Sequence, residues 1–265
     1  IVVRPRSAAL LHAQDKAVMR ARLTAVGVPC PRHRIVADPD EVSAFAAEVG
    51  WPLVLKRIRG GYDGRGVWVA RSSDEVNEAL RSGVPLLAEE LVDFRRELSA
   101  VVARSPSGQG VAYPVVESVQ RDGMCVEVVA PAPGLPAHLA VEAQRIALTI
   151  AAELGVEGVL AVELFETVDG RLLVNELAMR PHNSGHWGID GAVTSQLTDL
   201  GATLGAFATD VSDRLGQVNV VVMTEFGRRV EQNASRGTDH GHGAAVLLLG
   251  GGLAGGRVHG TWNGL

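Results

Sequence analysis

A chain of 265 residues, 46% of them hydrophobic and with a mean hydropathy of +0.14, has enough apolar material for one large core or two smaller ones. Its net charge of −5 and pI near 5.9 argue against a general nucleic-acid binder, which carries a basic face, and no apolar run reaches the ~18 residues of a membrane span. No basic leader followed by an apolar stretch is visible, and two cysteines, Cys30 and Cys125, are too few for a disulfide framework, so a cytoplasmic location is expected, without membrane or nucleic-acid partners.

Residues 1–6 read as a short strand or linker. Ser7 to Val26 reads as one helix rich in Ala, Leu and Arg, ended by Gly27 and carrying Lys16 at its middle. A Pro-punctuated connection, Val28 to Arg34, leads to a short strand at Ile35-Val36. Asp38 or Asp40 caps a helix that runs to about Val49 and stops at Gly50. Pro52 to Lys56 has the pattern of a buried strand. Of the 25 basic residues only Lys16 and Lys56 are lysines, so both are candidates for a role that needs a compact ammonium instead of a guanidinium fork.

The stretch RGGYDGRGVW, Arg59 to Trp68, follows. Gly60, Gly61, Gly64 and Gly66 let backbone N–H groups approach an anion without Cβ interference. It is not a Walker loop, because Gly-Lys-Ser/Thr is absent. A flexible hairpin turn is the alternative; Lys56, delivered by the preceding strand, favours phosphate binding. Val67 to Ala70 continues as strand, Ser72 or Ser73 caps a helix, and Pro85 to Val92 is a strand ending in Glu89-Glu90. An antiparallel strand at Arg95 to Ala103 turns at Ser105 to Gly110 and returns as Val111 to Val119. After the tight turn Arg121-Asp122-Gly123 come a strand at 124–130, a Pro-rich link, and an amphipathic helix from Val141 to Leu154.

Val159 to Phe165 is an apolar strand interrupted only by Glu163. Asp169-Gly170 turns it into a partner strand, Leu172 to Val174, that leads to Asn175-Glu176. Glu163 and Glu176 can thus lie side by side. Two unpaired carboxylates there repel and are costly to bury, and Mg²⁺ shared with phosphate oxygens is the usual remedy. The alternative is one exposed Glu and one paired with Arg180. The run that follows places Arg180, His182, Asn183 and His186 close together, too polar for plain core and suited to one wall of an active site.

The motifs AQDK (13–16), VLKRIRGGYDGRGVW (54–68), AEELVDFRRELS (88–99), YPVVESVQRDG (113–123), GVLAVELF (158–165) and VNELAMRPHNSGHWGIDGAVTSQ (174–196) together resemble the ATP-grasp superfamily, and within it the N5-carboxyaminoimidazole ribonucleotide synthetases. The resemblance covers about residues 1–196 and implies an α+β fold in which two subdomains clamp ATP. Residues 1–34 would lead into the grasp, 35–92 would form its small subdomain with a Gly-rich lid, and 93–196 its large subdomain with the Mg²⁺ and substrate site. The implied reaction carboxylates 5-aminoimidazole ribonucleotide with bicarbonate, converting ATP to ADP and phosphate, in a homodimer.

By the same resemblance Lys16 and Lys56 contact ATP phosphates. Gly61, Tyr62, Asp63, Gly64, Arg65 and Gly66 belong to a lid over them. Glu89 and Val92 meet the adenine edge through the strand-end backbone, Glu97 holds the ribose hydroxyls, and Glu163 and Glu176 ligate Mg²⁺ beside Asn175. Arg180, His182, Asn183 and His186 face bicarbonate and the ribonucleotide. By the resemblance an amino-terminal Rossmann-like domain would be expected ahead of the matched motifs and is not expected within residues 1–196, Gln120 stands where a His is expected, and Met179 replaces a Pro.

Residues 197–265 leave that pattern. Leu200 to Leu215 reads as a helix, Val218 to Met223 and Ala244 to Leu249 as strands, and the segment as a whole resembles the carboxy-terminal end of a bacterial family with an alkaline-phosphatase- or sulfatase-like fold. Asp239, His240 and His242 are metal-ligand types in four residues. A junction near 196–199 is expected. Two other functions stay open: a nucleotide-binding unit without turnover, and a metal-dependent hydrolase carried by the tail.

Overall fold

The computed structural model describes residues 4–61, 66–81, 83–121, 123–193, 196–223, 227–232, 238–241 and 246–253, with 196–200, 202–203, 223, 227–232 and 238–241 described by backbone alone. The chain divides into two compact units, Ile1–Leu197 and Thr198–Leu265.

The first unit opens with α1 (Ser7–Gln14) and α2 (Lys16–Ala25), where a single helix is expected from sequence. Asp15 makes the break. Its backbone is extended (φ −129°, ψ 105°), and its carboxylate accepts from the Val18 N–H at 3.0 Å, the N-cap role suited to a short acceptor side chain. Lys16 therefore starts α2. Its N–H donates to the Ile58 carbonyl at 3.0 Å, and Arg59 Nε donates to Asp15 at 2.7 Å, which ties the start of α2 to the chain entering the glycine-rich loop.

β1 (His33–Val36), α3 (Pro39–Val49), β2 (Leu53–Arg57), β3 (Val67–Ala70), α4 (Val76–Leu80) and β4 (Leu86–Glu90) follow, and the strands form an antiparallel sheet of order β1-β4-β2-β3. Asp38 caps α3 by accepting from Glu41 N–H at 2.9 Å, and Glu41 accepts in return from Ala37 N–H at 2.7 Å, a reciprocal box. Ser72 makes no capping bond; α4 is entered through a 3-10 turn, Ser73–Glu75, whose Glu75 accepts from Arg71 N–H at 2.9 Å. Val42, Phe45, Val76 and Ala79 from the helices bury Leu53, Leu55, Leu86 and Ala88 on one face of the sheet. The period-2 alternation sends Lys56, Leu87 and Glu89 to the other.

β5 (Phe94–Arg104), β6 (Gly110–Ala112), β7 (Val116–Arg121), β8 (Met124–Val129), α5 (Ala137–Glu153), β9 (Gly158–Thr167) and β10 (Leu172–Ala178) build the second sheet, of order β10-β9-β5-β7-β8 with β6 beside β5. The return strand expected over Val111–Val119 is divided into β6 and β7 around Pro114, which has no N–H for a ladder. α5 lies across one face, where Leu139, Ala143, Ile146 and Ile150 pack with Leu98, Val102, Leu160 and Leu164. Each such buried Leu or Ile contributes about 1.5–3 kcal/mol. The opposite face carries Glu97 and Ser99 beside Phe165 and Glu163, their partners across the β5–β9 ladder.

Beyond a 3-10 turn (Asn183–Gly185) and α6 (Gly188–Gly191), α7 (Gln196–Asp210) begins and ends earlier than the helix expected at Leu200–Leu215. In the second unit, β11 (Asn219–Met223), β12 (Gly227–Gln232), β13 (Thr238–Gly241) and β14 (Val246–Gly250) pair as β11-β14 and β12-β13. Among the described residues no helix is long and apolar enough to cross a membrane.

Candidate active site

The β9–β10 hairpin closes at Asp169-Gly170, where Gly170 takes φ +80°, a conformation that favours glycine. Pairing is regular up to Val174, which faces Leu164. Asn175 is then an extra residue, and Glu176 pairs with Glu163. Such a bulge changes the alternation of everything beyond it. In the regular register Asn175 would face Glu163 and Glu176 would face Val162, on the side packed by α5. With the bulge, Leu177 takes the place opposite Val162 and is buried at 2% exposure, while Glu176 stands beside Glu163.

Each carboxylate has a nitrogen partner. Lys16 Nζ donates to Glu176 Oε1 at 2.7 Å, and His182 Nε2 lies 3.3 Å from Glu163 Oε1. Burial pushes the Glu163 carboxyl up, but His182, Lys56 and Lys16 together hold it below its usual value. Lys56 Nζ donates to Asn175 Oδ1 at 3.0 Å and sits 2.7 Å from Glu89 Oε2. Glu89, only 2% exposed, also accepts from Arg20 Nε at 2.5 Å. Burial alone would raise its pKa; Lys56 and Arg20 lower it to about 2. Both lysines of the chain thus converge on the strip Glu89, Asn175, Glu176.

Glu97 behaves in the opposite way. Burial and the charge of Glu163 raise it to about 7, with Lys56 offsetting only part. A folded pKa above the unfolded one means that the native state binds the extra proton, so stability falls as pH rises from about 4.5 through 7. Glu97→Gln is therefore expected to raise the unfolding free energy by about 1–2 kcal/mol at pH 8, less than the full shift implies because the side chain is partly exposed, and to leave it unchanged at pH 4. Urea denaturation at the two pH values checks this; equal effects at both would contradict it.

The polar run after β10 is brought to the same face. His182 Nδ1 lies 2.8 Å from Ser184 Oγ and accepts from the Ser184 N–H at 3.4 Å, which leaves Nε2 to carry the proton facing Glu163. Ser184 Oγ is in turn 2.7 Å from Ser99 Oγ, and both serines are fully buried. Asn183 opens the 3-10 turn and His186 follows it on the exposed side. Arg180, exposed, donates to the Pro181 carbonyl at 3.2 Å. Gln120 donates to Ser118 Oγ at 2.8 Å on the neighbouring strand β7.

The glycine-rich loop is pinned where it is entered and where it ends. Gly66 has φ +78°, its carbonyl accepts from Arg57 N–H at 2.8 Å, and a Cβ there would meet Arg57 Cδ at 2.9 Å. Gly61 lies at the loop's start; Tyr62, Asp63, Gly64 and Arg65 lie outside the described residues. Glu89 is placed one residue before the end of β4, with its side chain committed to the buried ion pairs, while Val92 is half-buried in the link to β5.

Residues 21–197 match the family model described as ATP-grasp domain. The chain belongs to the ATP-grasp family. It is 66% identical over 198 residues to the N5-carboxyaminoimidazole ribonucleotide synthase of Mycobacterium tuberculosis, a match covering 73% of this chain and 46% of that one. Among solved structures, the carboxyaminoimidazole ribonucleotide synthase of Aspergillus clavatus in complex with ATP superposes with a TM-score of 0.71 at 34% identity, over 75% of this chain and 53% of that one. The same fungal enzyme in complex with ADP and 5-aminoimidazole ribonucleotide gives 0.69 at 32% identity, over 75% and 52%. The chain spans about half the length of the curated relatives it matches. A second model, described as a protein of unknown function (DUF1501), matches residues 182–265, so the departure from the ATP-grasp pattern near 196–199 coincides with a change of family.

One residue of this cluster is not singled out by its sequence context. Arg20 is 1% exposed, pairs with Glu89, and donates to the carbonyls of Val174 and Asn175 at 2.9 Å each. The signal is its place on the helix: it lies one turn after Lys16, in a buried stripe with Met19 and Leu23. Asp239 and His240 of the tail are described by backbone alone, and His242 lies outside the described residues.

Proposed function

We propose that this chain supplies the ATP- and metal-binding part of a cytoplasmic enzyme of purine biosynthesis that carboxylates 5-aminoimidazole ribonucleotide with bicarbonate, driven by ATP. The observation that carries this is the bulge-set pair Glu163 and Glu176, opposite each other on the sheet, with Lys16 paired to Glu176 and Lys56 bonded to the bulge residue Asn175 beside them. Its high identity to a mycobacterial synthase and its likeness to a fungal one bound to ADP and the ribonucleotide support the same function.

In this proposal Lys16 and Lys56 hold the phosphates of ATP, and their ion pairs with Glu176 and Glu89 keep both ammonium groups aimed before the nucleotide arrives. Glu163 and Glu176 hold Mg²⁺. Carboxylate oxygens suit that hard cation, and among the described residues no group of three or more His, Cys, Asp or Glu gathers to bind a metal, which leaves the remaining positions for phosphate oxygens and water. Mg²⁺ there would offset the negative charge of the transferring phosphoryl group. Glu97 takes the ribose hydroxyls, Glu89 and Val92 the adenine edge. Gly61 to Gly66 close over the phosphates. Asn175 stands beside the metal carboxylates, and Arg180, His182, Asn183 and His186 orient bicarbonate and the ribonucleotide.

A bicarbonate oxygen attacks the γ-phosphorus, the bond to the β-phosphate oxygen breaks, and ADP and carboxyphosphate form. The exocyclic amine of the ribonucleotide then attacks the carboxyl carbon, phosphate leaves, and the nitrogen gives up a proton. Positioning and charge stabilisation carry such transfers, and a closed loop protects carboxyphosphate from water. A homodimer forms part of the same proposal.

The test is ADP release from Mg·ATP, measured with and without ribonucleotide and bicarbonate. Release that requires both is expected. Nucleotide binding with no ribonucleotide-dependent release would contradict the carboxylation and leave a binding unit without turnover.

A further inference from the structure

We propose that Arg20 is a positioning residue that sets the bulge at Asn175 and so places Glu176 beside Glu163; this rests on the metal role given to that pair above. A bulge takes backbone groups out of the ladder, and buried carbonyls without partners are costly. The two carbonyls at this irregularity, those of Val174 and Asn175, each accept from one terminal nitrogen of Arg20 at 2.9 Å. The guanidinium is 1% exposed, and its Nε is held at 2.5 Å by Glu89, so the fork is fixed in direction as well as in place. Lys56 fastens the same bulge from its side chain, donating to Asn175 Oδ1 at 3.0 Å.

The alternative register is a well-formed one, and this is why a device is needed. Dropping the bulge would restore a regular ladder beyond Val174, at the cost of turning Glu176 toward Val162 and the core and Leu177 toward the charged face. β10 is the edge of its sheet and Val174 already turns its N–H outward to the Pro29 carbonyl, so a regular edge strand, whose adjacent carbonyls point to opposite sides, would offer Arg20 the Val174 carbonyl alone; the second charge-assisted bond, to Asn175, is what rewards the bulged form. A lysine has a compact ammonium without a planar fork and cannot span both carbonyls and the Glu89 carboxylate in the same way. Arg20 touches neither nucleotide nor metal in this proposal; it acts through Asn175 and Glu176.

The experiment compares wild type, Arg20→Lys and the double variant Arg20→Met/Glu89→Gln, which removes the buried charge pair together and guards against a variant that fails to fold. Two readouts are taken on the 265-residue chain. The first needs no ligand: hydrogen–deuterium exchange across 172–178, expected to quicken at least tenfold in Arg20→Lys at Asn175 to Leu177 while α5 is unchanged. The second is read on Arg20→Lys alone, because Glu89 belongs to the nucleotide site: binding of Mn²⁺ in the presence of a non-hydrolysable ATP analogue, expected to weaken at least tenfold while metal-free binding of the analogue changes less than threefold. Unchanged exchange in both folded variants overturns the proposal, as does metal and nucleotide affinity falling by one common factor. Wild type that binds no Mn²⁺ with the analogue contradicts the metal role itself, and the exchange data then still decide whether Arg20 sets the bulge.

Discussion

Glu89→Ala is expected to lower the unfolding free energy by about 3–5 kcal/mol, the cost of leaving a buried charge without its partner. Arg20 is the group left stranded, since it is 1% exposed and cannot turn to water, whereas Lys56 has an exposed edge of 12%. Acid should erode the same interaction in the wild type. With its folded pKa at about 2 against an ordinary 4.5, Glu89 contributes its stability fully above about pH 4.5 and loses it as pH falls from 4.5 toward 2. The gap between wild type and Glu89→Ala in urea denaturation should therefore be widest near pH 7 and shrink steadily below pH 4.5. A gap that stays constant down to pH 2.5 would mean that the pair is not what holds this region.

Glu176→Gln is expected to do the reverse, harming ligand binding and sparing the fold. It removes one of two carboxylates placed at the same cross-strand position, so the repulsion with Glu163 disappears and thermal stability should hold or rise. Lys16 loses its ion pair, but both side chains of that pair reach solvent, at 14% and 41% exposure, and the loss is small. Metal-dependent affinity for ATP should fall at least 100-fold, roughly the upper end of what losing even an outer-shell partner of a bound metal costs. Calorimetric titration with Mg²⁺ and a non-hydrolysable analogue, set beside a thermal melt, separates the two effects. Wild-type affinity in a folded variant would remove Glu176 from the metal site.

Much of this site is legible in the residues themselves, and the parts that are not have physical reasons. The scarcity of lysine pointed to Lys16 and Lys56, and both reach the charged strip because each sits at an element boundary, one opening α2 and the other near the end of β2. The Asp-Gly turn and the isolated Glu163 exposed the hairpin. The bulge at Asn175 left no mark in the pattern, because Asn and Glu are equally polar and the register is settled only by burying Leu177. Asp15 was hidden inside a run that favours helix on both sides; its capping bond and its pair with Arg59 are made with groups that propensity does not see. Arg20 was one arginine among 23, and its burial depends on Glu89, 69 positions away. The change of family near residue 196 was readable as a loss of pattern, and the tail's Asp and His residues carried no spacing that fixes a use for them.

The most direct measurement is calorimetric binding of a non-hydrolysable ATP analogue to the 265-residue chain with and without Mg²⁺, repeated for Lys56→Ala. One saturable site that the divalent cation strengthens, weakened at least tenfold by loss of Lys56, is the predicted result. Absence of binding, or binding indifferent to both Mg²⁺ and Lys56, would contradict an ATP site built on the strip from Glu89 to Glu176.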